Sequence, residues 1–294
     1  MTPEQKILIA VDVDGTLLNT EFDDVLARRE IDAMQAVRDA GHLLALCTGR
    51  NLRSVEGLLK ASGWFPDDLP MVLLNGATVW GGNPRRCLAN GVINRQQINH
   101  LVRLFRKYEV VPMVYGTDDD GGILYHETRL VNDILGRYIA MRRSAVGAIH
   151  ETSNLLELNL EAALEVGSID EKDKVMELSK AIRSELPGQV KVINTRSLLG
   201  GGLYYWAEVF HASCDKGAGL KVLREQYAEV AGPMVAIGDN YNDLDMFAAA
   251  DFSVAMGNSP ADVRSKADLV TKSVTEGGAA LVLEQLAQGV FPPQ

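Results

Sequence analysis

The sequence predicts an α/β fold, a parallel β-sheet with helices on both faces, carrying an inserted α+β module. Three observations predict it. Short apolar runs rich in Ile and Val recur and end in small or polar residues, helical periodicity separates them, and this alternation breaks once, between about residues 80 and 212. Strand and helix in regular alternation give a parallel sheet covered on both sides, whereas strands and helices without alternation give an α+β unit.

The elements follow in order. Ile7-Leu8-Ile9-Ala10-Val11 is unbroken and β-branched, the pattern of a strand buried on both faces, and it stops at Asp12-Val13-Asp14-Gly15-Thr16. Ile31, Met34 and Val37 have helical spacing; Leu43 to Cys47 is a strand closing on Thr48-Gly49; Leu52, Val55 and Leu59 are helical; Met71 to Leu74 is a strand closing on Asn75-Gly76. Late in the chain, a helix pattern at Leu220, Leu223 and Tyr227 precedes the strand Met234 to Ile237, which closes on Gly238-Asp239. Weaker strands are expected at Phe252 to Met256 and Asp268 to Thr271.

In the middle, helix patterns at Ile98, Leu101, Val102, Phe105 and at Val175, Leu178, Ile182, Leu186 are interleaved with strand-like runs. These runs are Val110 to Tyr115, Ile123 to His126, Val190 to Asn194 and Leu203 to Phe210. Asp118-Asp119-Asp120-Gly121-Gly122 reads as a hairpin turn between the first two, and it lacks the downstream glutamate of a calcium loop. With hinges expected at Gly81-Gly82 and near His211, residues 1–80 and 212–294 form a discontinuous core and 81–211 the insertion.

Composition excludes several classes. A net charge of −10 without a basic run opposes nucleic-acid binding, and an anionic substrate needs local positive groups. Three cysteines without a CxxC pair argue for reduced thiols, against a disulfide framework and against zinc. No apolar run approaches the about 18 residues of a membrane span, and the first strand begins too early for a signal peptide. The expectation is a cytoplasmic protein, monomeric or a small homo-oligomer, with a small-molecule substrate.

In open α/β sheets, ligands bind beyond the carboxyl ends of the strands. Asp12 and Asp14 stand there, and crowded carboxylates repel unless a cation joins them, so a hard metal such as Mg²⁺ is expected. Asp239 and Asp243 end another strand and either cap the next helix or hold that metal. Thr48 is either a helix N-cap or, with the Gly49 amide, a ligand for phosphate oxygen. Arg50 either grips an acidic group or lies on a helix surface. Lys216 places a cation in the first turn of a helix against the macrodipole, at about 0.3–1 kcal/mol if exposed, a mismatch expected at functional sites.

Taken together, Asp12-Val13-Asp14-Gly15-Thr16, Thr48-Gly49-Arg50, Asp215-Lys216-Gly217 and Gly238-Asp239-Asn240-Tyr241-Asn242-Asp243 resemble the four motifs of the haloacid dehalogenase superfamily of phosphatases. Asn75-Gly76-Ala77, Val254-Ala255-Met256-Gly257-Asn258 and Glu276-Gly277-Gly278-Ala279 extend the resemblance to its Cof-type subfamily; the middle of the chain matches only in length and texture. The resemblance implies a Rossmann-like core, with Asp12 as nucleophile forming an acyl phosphate and Asp14 as general acid and base. It implies Mg²⁺ held by the carboxylates of Asp12 and Asp239 and the main-chain oxygen of Asp14, with Asp243 supporting the metal and orienting Lys216. Thr48, Gly49, Arg50, Asn75, Lys216 and Asn242 become phosphate or substrate contacts. The insertion, placed after the third strand, matches a type-two α/β cap that closes over the sheet end and selects the substrate. Within it His126, Arg129, Asn159, Arg196, Tyr204 and Trp206 are pocket candidates, none assigned. The implied reaction is Mg²⁺-dependent hydrolysis of small phosphorylated metabolites such as sugar phosphates. Phosphomutase or phosphotransferase chemistry would use the same residues. A non-catalytic phospho-ligand binder is disfavoured because Asp12, Asp14 and Asp239 are all present.

Overall fold

The computed structural model describes residues 6–20, 22–117, 123–128, 132–142, 148–197 and 199–293. The Asp118–Gly122 turn and Arg129 lie outside them. The chain divides into two compact units, one of Met1–Arg50, Glu56–Ala89 and Asp215–Gln294, the other of Asn51–Val55 and Asn90–Cys214.

The first unit is built on an eight-stranded sheet. Its order is Leu269–Val270, Phe252–Ala255, Met234–Gly238, Leu8–Val11, Leu43–Cys47, Met71–Leu73, Thr78–Gly81 and Arg86–Asn90. The first six strands are parallel to their neighbours, and Thr78–Gly81 turns back antiparallel on Met71–Leu73. Leu8–Val11 is central, which is why its run is apolar throughout. Leu8 and Ala10 pack with Leu220, Leu223 and Met246 on one side, and Ile7, Ile9 and Val11 are fully buried as well. On the register, Val11 sits beside Leu46 and Ile237, and Cys47 beside Val72. The residues that follow, Asp12, Thr48 and Gly238-Asp239, therefore leave the sheet at a common edge. The sheet also runs past Gly81-Gly82 into Arg86–Asn90, two strands that the sequence pattern does not announce because they are short and one is largely exposed.

The second unit has a six-stranded sheet, in order Val190–Ile193, Tyr204–His211, Glu165–Glu171, Met113–Tyr115, Ile123–Glu127 and Ala148–Thr152. Helices Arg95–Lys107 and Lys172–Glu185 bury Ile98, Leu101, Phe105, Val175, Leu178 and Ile182 against one face. Asn94 starts the first of these helices with a reciprocal capping box to Gln97. Helix Asp133–Arg142 packs Leu135, Tyr138 and Ile139 with Met113, Leu124 and Ile169. The expected helices and the antiparallel pairing of Met113–Tyr115 with Ile123–Glu127 are present. The first of these strands is shorter than expected, since Val110 to Pro112 stay outside the ladder. A central strand, Glu165–Glu171, was not anticipated: Gly167, Ser168 and Asp170 interrupt its apolar pattern. Among the described residues, no helix is long and apolar enough to cross a membrane.

Candidate active site

Asp12, Thr48, Asn75 and Asp239 stand just past strand ends of the first unit, and Lys216 opens one of its helices. Asp12 follows Leu8–Val11 with its amide still donating to the Ile237 carbonyl at 2.9 Å, so its backbone is fixed by the sheet. The loop after it folds back on itself, with the Leu17 and Leu18 amides donating to the Val13 carbonyl at 2.9 and 2.8 Å. Gly15 makes that turn possible in two ways. Its φ is +82°, and a Cβ there would lie 2.3 Å from Asp239 Oδ2, so only glycine lets the two strand ends approach.

Lys216 opens the helix Lys216–Gln226, whose N-cap Asp215 accepts from the Ala218 amide at 2.6 Å. The ammonium is fully buried and donates to Asp12 Oδ1 and to Asp243 Oδ1, each at 2.6 Å. Asp243 is itself fully buried, and its Oδ2 accepts from the Asp239 and Asn240 amides at 2.8 and 2.9 Å. Both Asp243 oxygens are therefore engaged, which makes it an anchor for Lys216 and for the Asp239 turn. Among the described residues, Asp12 Oδ2 and the Asp239 carboxylate stay open, apart from long contacts of Asp239 to Thr16 Oγ1 and Asn258 Nδ2 at 3.4 Å. Oxygens of Asp12, Asp239 and Asp243 lie within 4.8 Å of one another.

Electrostatics follow from this crowding. Burial pushes the Lys216 pKa down, but the two carboxylates outweigh it and hold the ammonium charged. Burial raises the Asp12 carboxyl well above the usual range; Lys216 opposes this, while Asp243, Asp239 and Asp14 add to it. Asp239 is raised to about 7, by burial first and Asp243 second. One buried ammonium does not neutralise three carboxylates. Hard oxygen donors, two of them open and short of positive charge, fit a divalent cation.

Asp14 points elsewhere. Its Oδ2 accepts from Arg50 Nε at 2.8 Å, and its Oδ1 accepts from Arg50 Nη2 at 2.5 Å and Thr20 Oγ1 at 2.7 Å. Burial pushes Asp14 up, but the Arg50 hydrogen bonds and charge, helped by Thr20, bring it below its ordinary value. Arg50, expected to grip an acidic group or to lie on a helix surface, is paired with the carboxylate of Asp14. Thr48 is fully buried and its hydroxyl accepts from the Arg50 amide at 3.1 Å. It is not the N-cap of the following helix; Asn51 Oδ1 fills that place, accepting from the Ser54 amide at 2.9 Å.

Asn75 and Asn242 are brought together, with Asn242 Nδ2 donating to Asn75 Oδ1 at 2.9 Å, and Gly49 lies beside them, a Cβ there falling 3.3 Å from Asn75 Nδ2. The Asn75 amide donates to the Thr48 carbonyl and the Leu74 amide to the Arg50 carbonyl, each at 3.1 Å. Leu74 and Asn75 both take left-handed backbone, at φ 49° and 51°. For leucine this is strained, the kind of cost accepted where a turn must present a side chain. Asn258 was noted without a role. Its Nδ2 donates to the Gly15 carbonyl at 2.9 Å and its Oδ1 accepts from the Val274 amide at 2.8 Å, tying the Asp12 loop to the helical turn Val274–Glu276. Only its position after a strand-ending glycine hinted at that.

The model of the haloacid dehalogenase-like hydrolases matches residues 9–283. The chain belongs to that family. Among curated relatives, the 5-amino-6-(5-phospho-D-ribitylamino)uracil phosphatase YwtE of Bacillus subtilis is 27% identical over 96% of this chain and 99% of its own length. The pyridoxal phosphate phosphatase YbhA of Escherichia coli is 24% identical over 90% and 92%. A haloacid dehalogenase-like hydrolase structure from Bacteroides thetaiotaomicron superposes with a TM-score of 0.77, at 23% identity over 96% of this chain and 99% of that one. The Cof-type resemblance and the Rossmann-like core with an inserted unit hold, and this hydrolase is a phosphatase, a phosphoric monoester hydrolase; the two relatives named act on small phosphorylated metabolites. Its family uses a divalent metal, which the open oxygens of Asp12 and Asp239 are placed to bind, with the engaged carboxylate of Asp243 completing the acidic cluster beside them.

Proposed function

We propose that this hydrolase is a Mg²⁺-dependent phosphatase of phosphorylated sugars, polyols and similar metabolites, working through an aspartyl phosphate on Asp12. One observation carries the reading. Asp12 is held at the sheet end with one oxygen on Lys216 and the other open, beside the open carboxylate of Asp239. The open oxygen attacks phosphorus, and a carboxylate nucleophile splits the hydrolysis into two easier displacements. Asp12 and Asp239, with the Asp14 main-chain oxygen, would hold Mg²⁺, which would supply positive charge to offset that of the nucleophile and the phosphoryl group. Lys216 fixes the Asp12 carboxylate and supplies the positive charge that a net −10 chain lacks. Thr48, Gly49, Asn75 and Asn242 receive the phosphoryl oxygens. Asp14 protonates the leaving oxygen and then takes a proton from the attacking water. The second unit is the part of the chain assigned to substrate selection.

The relative that dephosphorylates a ribityl compound supports the polyol reading. The test is phosphate release across sugar phosphates, polyol phosphates, nucleotides and pyridoxal phosphate, with Mg²⁺ or with chelator, and with Asp12→Asn as control. Mg²⁺-dependent turnover that disappears in the control is expected, with polyol and sugar phosphates ranked first. Turnover that survives chelation or the Asp12 substitution would overturn the reading.

A further inference from the structure

The hydrogen bonds around Asp14 distinguish its two oxygens. An ionised carboxylate oxygen accepts at two in-plane lone pairs, so a carboxylate offers about four acceptor sites. Oδ1 receives two donors, Arg50 Nη2 at 2.5 Å and Thr20 Oγ1 at 2.7 Å. Oδ2 receives one, Arg50 Nε at 2.8 Å, and keeps a lone pair with no donor among the described residues. The guanidinium fork sets the plane of the carboxyl, and Thr20 fills the site on Oδ1 that would otherwise compete for a proton.

Thr20 reaches Asp14 because the loop is built to return it. The Gly15 and Thr20 amides both donate to the Leu18 carbonyl, at 2.8 and 3.0 Å, closing a double turn that brings residues six apart in sequence side by side.

We infer that Thr20 is a positioning residue for proton transfer, acting with Arg50 to direct the exchangeable proton of Asp14 to Oδ2. The inference rests on the acid and base role proposed for Asp14. In the first displacement the Asp12 oxygen forms a bond to phosphorus as the bond from phosphorus to the ester oxygen breaks, and that oxygen takes the proton from Asp14 Oδ2, leaving as the alcohol. In the second, water attacks the phosphorus of the acyl phosphate and gives its proton to Oδ2. Inorganic phosphate departs and the Asp12 carboxylate is restored.

Leaving-group dependence tests this where a general loss of fold would not register. An alkoxide needs the proton to depart; p-nitrophenolate does not. The quantity kcat/KM reports only steps through departure of the leaving group, so it isolates the first displacement. Misplacing a catalytic group by about 1 Å costs on the order of 10²-fold. Thr20→Val, which keeps the shape and removes the hydroxyl, is expected to lower kcat/KM for glycerol phosphate about 10–100-fold and for p-nitrophenyl phosphate less than about 3-fold. Thr20→Ser is expected to restore the alkyl phosphate rate. Asp14→Asn, measured alongside, sets the full leaving-group selectivity. Equal losses on both substrates in Thr20→Val, or no rescue by serine, overturn the inference while the selectivity of Asp14→Asn leaves the acid role standing. An unselective Asp14→Asn overturns both.

Discussion

Among the described residues Lys216 is the one cation paired with the crowded carboxylates of Asp12 and Asp243, so replacing it tests the electrostatic account most broadly. Lys216→Met keeps the length and apolar stem and removes the charge. Asp12 and Asp243 would each lose a 2.6 Å charge-assisted bond in a site where both are nearly or fully buried. Removing one partner of a buried ion pair costs about 3–5 kcal/mol, because the remaining charge is left uncompensated. For domains of 150–250 residues each kcal/mol shifts Tm by about 2–4 °C, so the metal-free protein should melt roughly 6–20 °C lower. The lower part of that range is expected, since Asp12 already has a raised pKa and takes up a proton when its partner goes. Mg²⁺ replaces the missing charge, so its addition should raise Tm more in the variant than in the parent. Turnover should fall by at least about 10²-fold, the scale of losing one preorganised electrostatic donor. The assay is thermal unfolding by circular dichroism in chelator and then in Mg²⁺. A metal-free Tm within about 2 °C of the parent would refute the reasoning, because the ammonium would then not be balancing the carboxylates.

Asp12→Asn should abolish turnover while its metal-free Tm stays equal to or above that of the parent, since it removes a carboxylate from a repulsive cluster; phosphate release and melting curves decide this. Metal affinity should rise with pH through about 7, where Asp239 loses its proton. A raised carboxyl pKa means that the folded, metal-free protein binds a proton that Mg²⁺ must displace below that pH, so Kd should weaken up to tenfold per unit on the acid side, measurable by calorimetry. Gly15→Ala should weaken Mg²⁺ binding at least tenfold, as the new Cβ forces Asp239 aside. His42 joins the Ile7 amide to the Leu286 carbonyl, and burial lowers its pKa. Its contribution is complete above the unfolded value near 6.5 and is lost as pH falls below it, so His42→Gln should flatten the acid side of the Tm profile below about pH 6.5.

The first unit was legible because its central strands are buried on both faces: an apolar run ending in a carboxylate or glycine records both the strand and its functional end. Asp12, Asp239 and Asp243 could be named from such positions and Lys216 from a cation set in the first turn of a helix, and the fold brings the four together. Thr20 could not, because its approach to Asp14 depends on backbone bonds within an irregular loop that no periodicity marks. Arg50 was found but its partner was not, since a guanidinium in sequence carries no sign of which acid it meets. The second unit was harder to read for a related reason. Glu165–Glu171 is central to its sheet yet carries Gly167, Ser168 and Asp170, so burial there leaves no apolar run.

The central claim is the covalent phosphate on Asp12, and acid quenching during turnover of a ³²P-labelled sugar phosphate tests it directly. Borohydride reduction converts an aspartyl phosphate to homoserine, and the peptide Ile7–Arg28 released by trypsin contains both candidate acids. The account predicts ³²P on the quenched, unreduced protein and, in a parallel sample whose phosphate is released by reduction, homoserine at position 12 of that peptide. Homoserine at position 14, or a quenched enzyme carrying no label while phosphate is being released, would contradict it.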